Sequence, residues 1–258
     1  MTMKIMKVFG SLSLIGFLAW TSLLGCGGQQ AKHNEQLAAA TREIGEAYMR
    51  QGDYTAALRE LLAAERMAPD DPFVHNDLGL CYMVKKRMPV AITHFKKAVA
   101  LNHSYTPARN NLGVAYMTVE DWDTAIATFK EITKDVLYAT PQFPLSNLGV
   151  AYYNKGEYKT ALSYYKEALK IQPDYYQAHL GTGRTYLSMN QGRLALRYLE
   201  RAAQLSPKIP EVHYYLGETY LLTGQADKAS FAYDTVIDLA SPESDWYEKA
   251  KRRLEGLR

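Results

Sequence analysis

Asn147-Leu148-Gly149-Val150-Ala151-Tyr152-Tyr153-Asn154-Lys155-Gly156-Glu157-Tyr158-Lys159-Thr160-Ala161 carries a glycine, a tyrosine three residues after it and an alanine twelve residues after it. The same triplet recurs without exception through the chain. Its glycines are Gly45, Gly79, Gly113, Gly149, Gly183 and Gly217, its tyrosines Tyr48, Tyr82, Tyr116, Tyr152, Tyr186 and Tyr220, and its alanines Ala57, Ala91, Ala125, Ala161, Ala195 and Ala229. The glycines are 34 residues apart, except for an interval of 36 between Gly113 and Gly149. A fixed period of this length marks an array of helix-turn-helix units, none of which can bury its apolar face alone.

Glycine on a first helix and alanine on a second let two antiparallel backbones approach closely. Large residues fill the rest of the seam. Ile44, Leu78, Leu112, Leu148 and Leu216 precede the glycines, and Leu61, Phe95, Phe129, Tyr165, Leu199 and Tyr233 lie at the helical spacing that faces the same seam. Pro69, Pro173 and Pro207 should stop second helices, because proline lacks an amide donor and clashes with the preceding turn. In period and residue placement the chain resembles the tetratricopeptide repeat (TPR) family. The resemblance implies an all-α, right-handed superhelical solenoid of six units, at 38–71, 72–105, 106–141, 142–175, 176–209 and 210–243, closed by a C-terminal capping helix at 244–258. Trp246, Tyr247, Ala250 and Leu254 give that last segment its apolar face, and Lys251 replaces the glycine a seventh unit would need.

Residues 1–25 read as a secretory signal, with Lys4 and Lys7 ahead of a mainly apolar run from Val8 to Leu24 and no acidic residue. The run is short for a membrane span. It ends in Leu23-Leu24-Gly25-Cys26, which resembles the bacterial lipobox and implies a lipid attached to Cys26. Gly27 stands where an aspartate would retain a lipoprotein at the inner membrane. The expected address is therefore the outer membrane of a diderm bacterium, facing the periplasm. Residues 26–37 would hold the lipidated cysteine and a short polar linker. With Cys26 lipidated only Cys81 remains, so no intrachain disulfide is expected, and alanines at the matching places of other units make Cys81 a small buried thiol. Basic residues outnumber acidic ones by 30 to 27, a balance that argues against a nucleic-acid partner.

Several patterns imitate chemistry. His75, His179 and His213 all lie four residues before a repeat glycine, which is a packing place, and no metal site is expected of them. Gly181-Thr182-Gly183 looks like the start of a dinucleotide loop, yet Gly183 is the fifth repeat glycine and no strand precedes it. The basic run Lys249, Lys251, Arg252, Arg253 and Arg258 suits the negative end of a closing helix. No protease helix, phosphate loop or nucleophile elbow appears, so neither an enzyme nor a small-molecule substrate is expected, and no cofactor beyond the lipid.

The fifth, ninth and twelfth places of each unit share one stripe of the first helix, away from the tyrosine seam. In TPR proteins that stripe lines the concave groove. Here its centre is apolar, with Leu80, Met83, Val114, Met117, Val150 and Tyr153, beside a polar rail of Asn76, Asn110 and Ser146, flanked by Phe73 and Phe143. An amphipathic helix or extended segment of a partner could occupy it. The lysine-asparagine-arginine clamp for C-terminal carboxylates is missing, since the ninth places hold Leu80, Val114 and Val150.

The 36-residue interval contains Asp135-Val136-Leu137-Tyr138-Ala139-Thr140-Pro141, followed by Asn147-Leu148-Gly149. This segment, the six-unit count and the lipobox resemble the type IV pilus biogenesis lipoproteins of the PilF/PilW/Tgl pilotin family. The resemblance implies a non-enzymatic adaptor that binds secretin subunits and promotes their outer-membrane assembly. The alternative is an envelope lipoprotein that gathers peptidoglycan hydrolases or synthases through the same groove.

Overall fold

The computed structural model describes the backbone of residues 12–135 and 139–257, with side chains at residue 30 and from residue 32 onward. The Cys26 side chain, residues 1–11 and all the side chains of the expected signal, residues 136–138 of the long interval and Arg258 lie outside what is described. Among the described residues every regular element is an α-helix. They come as pairs, α1 (Leu12–Arg50) with α2 (Tyr54–Met67), α3 (Pro72–Val84) with α4 (Met88–Leu101), α5 (Thr106–Thr118) with α6 (Trp122–Thr133), α7 (Gln142–Asn154) with α8 (Tyr158–Ile171), α9 (Tyr176–Ser188) with α10 (Gly192–Leu205), and α11 (Pro210–Leu222) with α12 (Ala226–Leu239), followed by α13 (Asp245–Glu255). Two compact units divide them, one up to Ala108 and one from Arg109 onward.

Within each pair the glycine is a seat for one large side chain. A Cβ placed on Gly79 would lie 2.5 Å from the Phe95 ring, on Gly113 2.6 Å from Phe129, on Gly149 2.5 Å from Tyr165 and on Gly217 2.5 Å from Tyr233. Leu61 and Leu199 fill the same seat over Gly45 and Gly183. All six large residues are essentially buried. Each contributes roughly 2–3 kcal/mol by leaving water. The Tyr165 ring reaches further and also presses on Gly181 of the next repeat, so Gly181 and Gly183 are packing glycines inside α9 and belong to no loop.

The turn inside every repeat is built alike. The second residue after each first helix adopts positive φ, at Gly52, Lys86, Glu120, Gly156, Asn190 and Gly224. The amide following it reaches back to the carbonyl of the repeat tyrosine, as from Asp53 to Tyr48 at 3.0 Å, Arg87 to Tyr82 at 2.8 Å and Gln225 to Tyr220 at 2.8 Å. This is a Schellman closure, which satisfies carbonyls a helix end leaves open. Asp53 and Asp121 then cap the second helix by accepting from its first amides.

Second helices end two residues before Pro69, Pro173 and Pro207, as proline requires. The proline carbonyl left free is claimed by the next repeat. Nε2 of His75 lies 2.8 Å from the Pro69 oxygen, Nε2 of His179 2.8 Å from that of Pro173, and Nε2 of His213 2.7 Å from that of Pro207. Since a carbonyl only accepts, Nε2 carries the proton in each. The packing place is therefore also a hydrogen-bonded link.

Three expectations change. Residues 26–37, expected as a short polar linker, take helical backbone, because α1 runs unbroken into the first repeat through Ala, Gln, Glu and Lys, which are good helix formers, with no proline among them. Ile44 does not fill the seam and is 50% exposed, since its counterparts pack on a preceding repeat that the first repeat lacks. At the long interval, α6 stops at Thr133, so the connection 134–141 absorbs two lost helical residues as well as the two inserted ones.

At the C-terminal end Trp246 of α13 packs on Tyr214 and Tyr215, with Ala250 buried beneath. Arg253 reaches Glu218, which also accepts from the Tyr233 hydroxyl, and Lys249 lies over Trp246. Cys81 is fully buried, and burial pushes its thiol up to about 12.

Gly149→Ala should cost about 1–3 kcal/mol in urea unfolding, because the ring it meets is enclosed. Adding Tyr165→Leu should not recover that loss, because leucine in this seat comes equally near, 2.5 Å from a Cβ placed on Gly183. Glu120→Gly should raise stability by about 1 kcal/mol through relief of the left-handed backbone.

Candidate protein-binding site

The stripe falls on both compact units. In the N-terminal unit, Phe73 projects from the first turn of α3, 41% exposed, its ring edge-on to Tyr105 at 4.8 Å and under the Arg42 guanidinium at 5.2 Å. Leu80 and Met83 are half-buried along the same helix. Asn76 is buried and donates to Asp77 at 3.1 Å. Arg42 pairs with Glu46 at 3.4 Å, one turn along α1.

In the C-terminal unit, Val114, Met117, Val150 and Tyr153 are half-buried and rest on the core around Phe129, Leu148 and Tyr165. Asn110 accepts from Asn147 at 3.3 Å. Phe143 packs edge-on to Tyr175 at 5.5 Å, repeating the Phe73–Tyr105 pair. Ser146 is buried and bonds the Tyr175 hydroxyl. A polar rail of Asn76, Asn110 and Ser146 is thus not formed. Residues three apart share a helix face, so Phe143, with the Tyr175 it holds, roofs Ser146. What remains in this unit is an apolar shelf beside the aromatic pair of Phe143 and Tyr175.

Next to that shelf lies a cleft of about 150 Å³ lined by Val150, Tyr153, Tyr165, Gln177, Leu180, Gly181, Arg184 and Glu211. The Arg184 guanidinium is held between the rings of Tyr153 and Tyr215, at 5.0 Å and 4.7 Å from their centroids, and its Nη1 meets Glu211 at 3.0 Å. The Tyr153 hydroxyl and Ser188 are 3.0 Å apart. An arginine fixed by two rings and a carboxylate is pre-organised, so a partner binding over it need not order it. The stripe pattern includes Arg184 at a ninth place, but two of its partners, Glu211 and Tyr215, come from the second and sixth places of the following repeat, and the third, Tyr153, from the preceding one. The pairing of Arg42 with Phe73 obeys the same rule, which is the signal that would have found it.

In sequence, the family described as tetratricopeptide repeat matches residues 42–105, 144–175 and 187–254. No curated protein matches the chain. Among solved structures, PilW, described as a widely conserved type IV pilus biogenesis factor, is 20% identical with a TM-score of 0.74 over 84% of this chain and 99% of its own. PilF of Pseudomonas aeruginosa is 18% identical with a TM-score of 0.70, over 86% of this chain and 99% of its own. The Cut9–Hcn1 assembly of the APC/C is 17% identical with a TM-score of 0.75, over 91% of this chain and only 46% of the other. Scores this similar across such different proteins establish the fold: an all-α tetratricopeptide-repeat solenoid that resembles type IV pilus biogenesis factors in structure.

One group of the N-terminal unit is electrically unusual. Burial, with the Glu46 carboxylate beside it, pushes Asp77 up to about 7, and its Oδ2 has no hydrogen-bond partner. Between the ordinary carboxylate range and pH 7 the folded chain keeps a proton that the unfolded chain has released. Stability should therefore fall as pH rises through that window and level off above it. Asn111 and Asn147 occupy the matching place in the next two repeats. Asp77→Asn should abolish the slope, leaving the variant more stable than the parent at pH 8 by roughly 1–3 kcal/mol and little changed at pH 4, as read from urea midpoints.

Proposed function

We propose that this tetratricopeptide-repeat chain is an outer-membrane-anchored, non-enzymatic adaptor of type IV pilus assembly, which holds secretin subunits at the membrane and promotes their multimerisation. The observation that carries this reading is length. PilW and PilF are matched along essentially their whole chains, whereas Cut9–Hcn1, at a similar score, is matched along less than half. A match along nearly the whole of the other chain is a more particular likeness than a shared repeat. The Asp135–Pro141 segment and the lipobox-like Leu23–Cys26 point the same way.

In this reading the chain does no bond chemistry. Lipid on Cys26 supplies the address. The half-buried shelf of Val114, Met117, Val150 and Tyr153 takes an apolar segment of the secretin, whose side chains lie across the shelf beside the cation fixed at Arg184. Tethering raises the effective concentration of subunits at the bilayer, which favours assembly without any change in the subunits themselves.

A Cys26→Ala strain should lose most of its heat-resistant secretin multimer, and undiminished multimer would remove the anchor from the mechanism. Detergent pull-down with Val114→Asp plus Val150→Asp should recover about tenfold less secretin than the parent, because a carboxylate cannot be buried unpaired on an apolar contact. Recovery of cell-wall hydrolases or synthases without secretin would sink the pilus reading.

A further inference from the structure

We infer that Glu65, His75 and His94 form a binding site for a first-row divalent cation, with Zn²⁺ the best match to the donor set. The three residues come from α2, α3 and α4, and one donor atom of each lies within 4.8 Å of the other two. Nδ1 of His75 is 3.1 Å from Nδ1 of His94 and 3.6 Å from Oε1 of Glu65. Two nitrogens bound tetrahedrally to Zn²⁺ at about 2.0–2.1 Å are separated by about 3.3 Å, so the observed spacing needs little adjustment.

The orientation of His75 supports the assignment independently. Its Nε2 is committed to the Pro69 carbonyl, which leaves the Nδ1 lone pair of the neutral ring facing His94 and Glu65, where it accepts from Nδ1 of His94, a bond that a cation would replace once the His94 proton moves to Nε2. A ligating histidine is commonly oriented in this way, by donating its other ring proton to a backbone carbonyl. His75 is fully buried, and His94 is held by a near-parallel stack on Tyr82, with ring centroids 5.4 Å apart.

Comparison among the repeats separates this cluster from ordinary packing. His179 and His213 keep the bond to proline. At the place of His94 they have Tyr198 and Ala232, and at the place of Glu65 they have Leu169 and Ala203. Nδ1 of His179 is simply buried with no partner. The fold therefore tolerates a bare nitrogen there, and only in the first two repeats do a second imidazole and a carboxylate converge on it. A bound cation would tie three helices and two repeats together.

The test uses the full-length chain in detergent, stripped with chelator and titrated with Zn²⁺, with Co²⁺ as a spectroscopic probe. The expected result is saturable binding of one Zn²⁺ per chain, a Co²⁺ visible spectrum of low-symmetry type and a higher thermal midpoint with metal. Removing even an outer partner of a ligand costs about 10–100-fold in affinity, so His94→Ala and Glu65→Gln should each weaken Zn²⁺ binding at least about tenfold. Both positions are half-buried, and circular dichroism verifies that the variants remain folded. Absence of saturable binding to the parent chain, or undiminished binding in the folded His94→Ala variant, would overturn the site.

Discussion

Every pair of helices depends on one contact, a large side chain pressed onto a glycine of the helix opposite. The ring of Phe95, Phe129, Tyr165 or Tyr233 occupies the space a Cβ would take, and leucine does so in the first and fifth repeats. This contact sets how near the two helices come, and the repeat alanine nearby keeps the crossing thin. It also fixes which side of the first helix is buried. The stripe carrying Leu80, Val114 and Val150 is left on another side, where those residues find only partial cover. The protein's binding surface is thus a by-product of the way its helices pair.

Superposed on that regular packing are polar groups where the repeats differ. Arg42 lies under Phe73 beside Glu46, and Arg184 is held by Tyr153, Tyr215 and Glu211. Asp77 replaces the asparagine of its neighbours and keeps a proton because of it. In an interior of low polarity each of these groups needs partners, and those partners come from its own helix and from neighbouring repeats on either side. Stiffness at the surface therefore comes from exceptions to the repeat and not from the repeat itself.

That division explains what the sequence reveals. The helix pairs, the stops before Pro69, Pro173 and Pro207 and the buried Cys81 are legible because each follows from a local rule applied at a fixed period. Ile44 is misread since periodicity carries no information about the missing neighbour at the end of an array. Asn76 and Ser146 fail as a rail because a helical angle names a face without naming the aromatic pair that roofs it. The Arg184 cluster and the trio of Glu65, His75 and His94 unite residues that no single helix holds. Aligning His75 with His179 and His213 finds what the repeats share, and conceals what only the first two possess.

The turns inside the repeats carry a further consequence. All six place one residue in the left-handed region, but repeats 1, 4 and 6 use glycine there while repeats 2, 3 and 5 use Lys86, Glu120 and Asn190. The backbone cost is about 1–2 kcal/mol for an ordinary side chain and near zero for glycine, with asparagine between. In a quasi-one-dimensional array each repeat is supported only by its neighbours. Opening fluctuations are then distributed by turn chemistry as well as by distance from the ends, and the turns at Lys86 and Glu120 become places inside the array where amide protons exchange early without global unfolding.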